Sequence, residues 1–298
     1  AGGKAMTGTP VAATTTALDP AEIDRLARLA LTEDLAGGID VTTIATVRQD
    51  HRSVAELVAR QDGVPAGIRI AAAVFEQRLG SGGGIEVHVE DGSRVRAGQR
   101  LLTVEAATRE LLTAERSALN LLTHLSGVAT LTARWVAAVE GTGALIRDTR
   151  KTMPGLRAAE KYAVRCGGGF NHRMGLSDQA LIKDNHIVAA GGVTAAIRAV
   201  REQFPQVFCE VECDTLEQVE EAAREGAALL LLDNMDLAST RAAVAVARRY
   251  STRTEASGGL TLDTARAVAE TGVDYLAVGA LTHSAPVLDI GLDLRLRG

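Results

Sequence analysis

ALLLLDNMDLASTRAAVAVARRYSTRTEASGG, residues 228–259, reads as a strand, a helix and a second strand. The run at 228–233 is apolar until Asp233, a helical pattern fills 237–250, and the run at 252–257 ends at Ser257-Gly258-Gly259. A strand apolar along its whole length is buried on both faces, and a helix between two such strands is the crossover that parallel pairing requires. The unit recurs from about residue 144 onward, with strand runs at 144–149, 179–184, 207–212 and 275–279. Helical patterns at 154–165, 194–204, 216–224 and 262–270 separate them. The alternation predicts an α/β class fold, an incomplete parallel barrel one strand short of eight.

Upstream of residue 144 the pattern changes. Residues 53–60 and 85–89 alternate like half-buried strands, the turn Glu90-Asp91-Gly92-Ser93 follows, and 99–104 completes a third. A long helix is expected at 108–140, bridging to the barrel. The segment DGSRVRAGQRLLTVEA (91–106) has the look of a biotin or lipoyl carrier but lacks the lysine such a carrier modifies. It reads instead as part of a small α+β domain shaping the barrel mouth.

Composition narrows the function. The 298 residues are 46% hydrophobic, enough for a sizeable core, and carry a net charge of −5. With 3% aromatic residues and a pI near 5.8 there is no basic, aromatic-studded face of the kind that binds nucleic acid. No run approaches the roughly 18 apolar residues of a membrane span. Residues 1–20 are polar and Thr-rich without the apolar core of a signal peptide. Residues 1–5, ahead of Met6, read as a cloning remnant, and disorder is expected to residue 18. Cys166, Cys209 and Cys213 are odd in number and lack CxxC spacing, so cytosolic thiols are expected rather than disulfides or zinc.

In a barrel of this kind the chemistry sits at the C-terminal strand ends, here Arg150 with Lys151, Lys183, Glu212, Asp233, Ser257 and Gly279. Residues 147–186 hold eight Lys/Arg against four Asp/Glu, a surplus of four positive charges in an acidic chain. Concentrated like charge implies a multiply anionic small ligand. Arg150, Lys151, His172, Arg173 and Lys183 make its cationic half, suited to carboxylates on one side and pyrophosphate on the other. Ser257-Gly258-Gly259, between a strand and a helix, has the form of a phosphate loop, and Gly279-Ala280 ends the neighbouring strand. Single carboxylates at Glu212 and Asp233 would face a metal, a sugar hydroxyl or a developing cation. Beside phosphate grips, a sugar phosphate is the economical inference. Salt bridges from these carboxylates to Arg150 or Lys183 are the competing reading. His51, His88 and His283 stay unassigned.

ERSALNLLTHLSGVAT (115–130), DTRKTMPGLRAAEKYAVRCGGGFNHRMGLSD (148–178), LIKDNHI (181–187), EVEC (210–213), LLLDNM (230–235) and EASGG (255–259) follow one another in order. Through them the chain resembles the quinolinate phosphoribosyltransferase family over nearly all residues after 20. GGIDVTT (37–43) departs from the family's tighter Gly-Asp pair but touches no charged site residue. The resemblance implies transfer of phosphoribose from phosphoribosyl pyrophosphate to quinolinate with decarboxylation, using Mg²⁺ carried mainly on the diphosphate, near Glu212 and Asp233. It places the quinolinate carboxylates on Arg150, His172, Arg173 and Lys183, with Arg116 donated by a second subunit of a homodimer or dimer-based hexamer. Lys151 would face the diphosphate, Glu212 and Asp233 the ribose, and Ser257, Gly258 and Gly279 the 5′-phosphate. It further implies an open-faced α+β sandwich at 19–126, a barrel at 127–285, a tail at 286–298 packing back on the sandwich, and a cytoplasmic location. Two other readings remain at this level: a related barrel using nicotinate or a Schiff base on Lys183, and an anion-binding protein without turnover.

Overall fold

A computed structural model describes residues 17–79 and 83–296. Most of the stretch expected to be disordered lies outside these residues. Leu18, at its end, packs against the core and does not match that expectation.

The N-terminal layer is an antiparallel sheet in the order β10-β1-β3-β2, formed by β1 (Arg52–Ala59), β2 (Gly84–Val87), β3 (Arg100–Ala107) and β10 (Ile290–Leu296). Alternation in β1 and β3 turns Leu57, Leu102 and Val104 toward helices α3 (Ile68–Leu79) and α4 (Thr108–Ala138), where Phe75, Leu111 and Leu122 complete a buried cluster. β10 pairs with β1 from Ala59↔Ile290 to Ser53↔Leu296, so the end of the chain returns to this sheet. Helix α1 (Pro20–Leu35), on which the sequence expectation is silent, starts at a proline and is capped by Asp19, which accepts the Ala21 N–H at 2.9 Å. The short α2 (Val41–Thr46) is capped by Asp40.

Six parallel strands form the second sheet: β4 (Leu145–Arg147), β5 (Ala180–Ile182), β6 (Cys209–Cys213), β7 (Leu229–Asp233), β8 (Arg253–Ser257) and β9 (Tyr275–Ala277). Their order is β4-β9-β8-β7-β6-β5. β4 pairs with the last strand, as in a closed barrel, and a one-residue bridge from Arg147 to Phe170 supplies the stub of a seventh strand. Among the described residues no ladder joins that stub to β5, so the barrel is open there.

The intervening helices are α5 (Arg157–Cys166), α6 (Asp184–Ala190), α7 (Val193–Gln203), α8 (Leu216–Arg224), α9 (Leu237–Arg249), α10 (Leu262–Ala269) and α11 (Ala280–His283). α5 begins three residues later than the pattern predicts because Gly155 adopts φ +82°, outside the helical region. α6 was not expected. It is a seven-residue helix ended by left-handed Gly191.

Candidate active site

Period-two geometry sorts the barrel residues into layers. Glu210 and Glu212 lie two apart on β6 and so share one face, as do Glu255 and Ser257 on β8. The outer members of these pairs reach the C-terminal mouth, and the inner members form a charged floor. Above that floor opens a cavity of ≈ 830 Å³. It is lined by Arg150, Lys151, His172, Arg173, Lys183, Glu212, Asp233, Ser257, Gly258 and Gly279, every expected site residue but one. Arg116 lies exposed on α4, apart from the lining.

The cationic wall is short of counter-charge. Arg150, Lys151 and Arg173 make no ion pair among the described residues, and the Arg150 Nε is buried without a hydrogen-bond partner. Burial, and then the nearby Arg150, push the Arg173 pKa below its ordinary value. Juxtaposed, under-solvated guanidiniums are costly unless an anion completes them. The wall is nonetheless well supported. Arg173 Nη1 donates to Gln179 O at 3.0 Å, and Arg157 donates to Thr152 Oγ1 at 2.9 Å and to Met174 O at 3.0 Å. Buried Glu160 accepts the Met153 N–H at 3.0 Å and faces His124 Nε2 at 2.8 Å.

Lys183 Nζ meets Glu212 Oε2 at 2.5 Å, so one of the competing salt bridges does form across the mouth. Asp233, half-buried at the end of β7, takes the Asn234 amide on Oδ2 at 2.7 Å.

The glycine loop is tightly specified. Gly258 has φ +86°, and a Cβ there would stand 2.2 Å from Asn234 Oδ1. A Cβ on Gly279 would come within 2.9 Å of the Lys151 side chain. The following helix begins beyond the loop. α10 starts at Leu262, three residues beyond Gly259, and its N-cap Thr261 already accepts the Thr264 N–H.

The floor carries groups that the sequence reading passed over. His172 Nε2 lies 2.9 Å from Glu210 Oε2 and 3.3 Å from Glu255 Oε1. Arg147 Nη1 binds Glu255 Oε2 at 2.7 Å, and Gln179 donates to Glu210 at 2.6 Å. Burial opposes a charged ring at His172, but hydrogen bonds and charge from the two glutamates outweigh it and raise the pKa to about 9. The second proton must displace the Arg173 N–H that Nδ1 accepts at 2.7 Å. Desolvation and the Glu255 charge raise the Glu210 pKa. For Glu255 desolvation is outweighed by His172 and Arg147, and its pKa falls. The ligand atoms of His172, Glu210 and Glu255 lie within 4.8 Å of one another, close enough to hold a metal. Arg147 and Gln179 occupy one oxygen of each carboxylate, while Glu210 Oε1 and Glu255 Oε1 are buried without a hydrogen-bond partner among the described residues; with the Arg147 guanidinium bound directly to Glu255, the trio reads as part of an ion-pair cluster.

Behind the wall lies the buried pair Asp148 and Lys161. Asp148 also accepts the His172 N–H at 2.8 Å and the Asn171 amide at 2.5 Å, while Lys161 donates to His172 O at 3.0 Å. Burial shifts both toward neutrality, raising the Asp148 pKa and lowering that of Lys161.

Comparison with known proteins gives this geometry a family. The quinolinate phosphoribosyl transferase N-terminal domain profile matches residues 40–126, and the C-terminal domain profile matches 128–293. A Mycobacterium leprae nicotinate-nucleotide pyrophosphorylase [carboxylating] is 55% identical over 272 residues, 90% of this chain and 95% of the relative. The crystal structure of NadC from Streptococcus pyogenes is 39% identical with a TM-score of 0.89, covering 95% of this chain and 100% of that one. An Ehrlichia chaffeensis nicotinate-nucleotide pyrophosphorylase structure, 36% identical, reaches a TM-score of 0.88 over 94% of this chain and 100% of its own. With both domains matched in order and the cavity residues in place, the chain belongs to the quinolinate phosphoribosyl transferase family.

Proposed function

We propose that the cavity joins quinolinate to phosphoribosyl pyrophosphate, yielding nicotinate mononucleotide, pyrophosphate and carbon dioxide, a step of NAD biosynthesis. The observation that carries this reading is the wall of Arg150, Lys151 and Arg173, cations without ion-pair partners among the described residues, facing carboxylates and a glycine loop across one cavity. Arg150, Arg173, His172 and Lys183 take the two ring carboxylates. Ser257, Gly258 and Gly279 hold the 5′-phosphate, and Lys151 faces the diphosphate.

Binding quinolinate would draw Lys183 from Glu212 toward the incoming carboxylate. Glu212 and Asp233 are then free to meet the ribose hydroxyls and the cation that develops at the anomeric carbon. As the C–O bond to pyrophosphate breaks, the ring nitrogen lone pair forms the new C–N bond and the ring becomes a pyridinium. That ring accepts the electron pair released when the adjacent carboxylate departs as carbon dioxide, and the carbon left behind takes a proton from solvent.

Mg²⁺ fits the mouth, where half-buried Glu212 and Asp233 offer hard oxygen donors. When bound, it would neutralise charge on the departing pyrophosphate. We further propose a homodimer in which Arg116 enters the partner's cavity, since it is exposed on α4 and absent from its own. Three free cysteines suit a reducing compartment such as the cytoplasm. Among the described residues no helix is long and apolar enough to cross a membrane.

A Schiff base on Lys183 is not favoured: its ammonium is exposed and paired with Glu212, whereas such chemistry needs a desolvated amine. The deciding assay supplies carboxyl-labelled quinolinate, or nicotinate, with phosphoribosyl pyrophosphate and Mg²⁺. Labelled carbon dioxide released in step with pyrophosphate from quinolinate, and little turnover of nicotinate, is the expected result. Equal use of both acids would defeat the assignment of the second carboxylate.

A further inference from the structure

Asn234 is one of three non-glycine residues with positive φ among the described residues, at φ +51°. A left-handed conformation costs a side-chain-bearing residue about 1 kcal/mol or more, less for Asn than for most, and such strain concentrates at functional sites. Here three contacts hold it. The Asn234 N–H donates to Ser257 O at 2.9 Å, its Nδ2 donates to Asp233 Oδ2 at 2.7 Å, and its Oδ1 stands over Gly258, where a Cβ would lie 2.2 Å away. One residue thus touches both the carboxylate at the end of β7 and the glycine loop at the end of β8.

We infer that Asn234 is a positioning residue that sets the spacing between Asp233 and the Ser257-Gly258 loop, and so between the hydroxyl and 5′-phosphate ends of one bound ribose. The inference rests on the phosphoribosyl reading above. With Oδ2 tied to the amide, the carboxylate of Asp233, a residue lining the cavity, is restrained from rotating. The left-handed backbone is what lets the chain fold back after β7 so that the amide reaches both neighbours.

Replacing this residue separates function from folding. Asn234→Gly keeps the left-handed conformation at no steric cost and removes the amide, so its melting temperature should hold or rise. Turnover should fall by roughly 10- to 100-fold, the scale expected when a reacting group is misplaced by about an ångström. KM for phosphoribosyl pyrophosphate should rise, while the dissociation constant of quinolinate measured alone stays within about twofold. Asn234→Asp, which retains the backbone tolerance but sets a second carboxylate against Asp233, should be at least as impaired. The inference is overturned if Asn234→Gly keeps wild-type kcat and KM for phosphoribosyl pyrophosphate, or if it weakens quinolinate as much as the sugar diphosphate. Wild-type protein that turns over neither acid with phosphoribosyl pyrophosphate overturns the phosphoribosyl reading, and this inference with it.

Discussion

His172 shows how a residue at the cavity edge is governed by what lies beneath it. Its ring is buried, and burial alone would keep it neutral. Glu210 and Glu255 reverse that and raise the pKa from 6.5 to about 9. A group whose folded pKa exceeds its unfolded value adds stability that is complete below the unfolded pKa and is lost as pH rises through the folded one. The His172 contribution is therefore full below about pH 6.5 and fades as pH climbs toward 9. Guanidinium unfolding midpoints measured between pH 6 and 9.5 should decline in wild type and flatten in His172→Gln over the same window. A wild-type profile that His172→Gln leaves unchanged would show that the ring stays neutral, held by the Arg173 N–H on Nδ1. The sequence contained a signal for this floor: once 209–213 is a strand, Glu210 must share a face with Glu212. Reading only the strand ends left Glu210 and Glu255 out.

The stub of the seventh strand extends the same reasoning to an element. Phe170 makes a single bridge to β4, and on its other side no described strand offers a ladder. The next residues, which carry His172 and Arg173 to the cavity, are held by side chains instead. Asp148 takes the His172 N–H and Lys161 the His172 carbonyl, replacing the hydrogen bonds a neighbouring strand would make. Removing one partner of a buried pair leaves an uncompensated charge, so Lys161→Met should cost about 3–5 kcal/mol in guanidinium unfolding. Adding Asp148→Asn should recover part of that loss. Equal losses in the single and double variants would mean that packing, not charge pairing, holds the stub. Nothing in the sequence marks these residues as buried, because a lysine in an amphipathic helix reads as solvated until α5 is laid against β4. The long barrel strands were legible for the opposite reason: burial on both faces leaves a continuous apolar run. The three-residue strands β4 and β5 are legible only as short apolar runs, wider than the strands themselves, and the seven-residue α6 is too short to show a period at all.

At the scale of the whole molecule, α4 ties sandwich to barrel. Its 31 residues span about 46 Å at helical rise. Leu111 and Leu122 lie in the sandwich core, while Leu125, Val128 and Trp135 lie in the barrel core. Gly127 marks where the returning chain crosses the helix, since a Cβ there would fall 2.2 Å from Pro286 O. Arg116 projects from the sandwich half of this helix into solvent, which suits a residue that completes a neighbour's cavity. In a two-fold symmetric dimer, an Arg116 donated in each direction gives two composite sites, each built from both chains. Arg116→Ala and Lys183→Ala should then each be nearly inactive alone. Unfolded and refolded together in equal amounts, half the dimers are mixed. In every mixed dimer one site carries both defects and the other neither, so recovery should approach about a quarter of wild-type activity. The measurement is turnover of quinolinate after refolding, with mixed dimers verified by mass spectrometry. If both residues served the same chain's cavity, each site would keep its own defect whatever its neighbour. Verified mixed dimers without recovered turnover would place Arg116 outside the shared site.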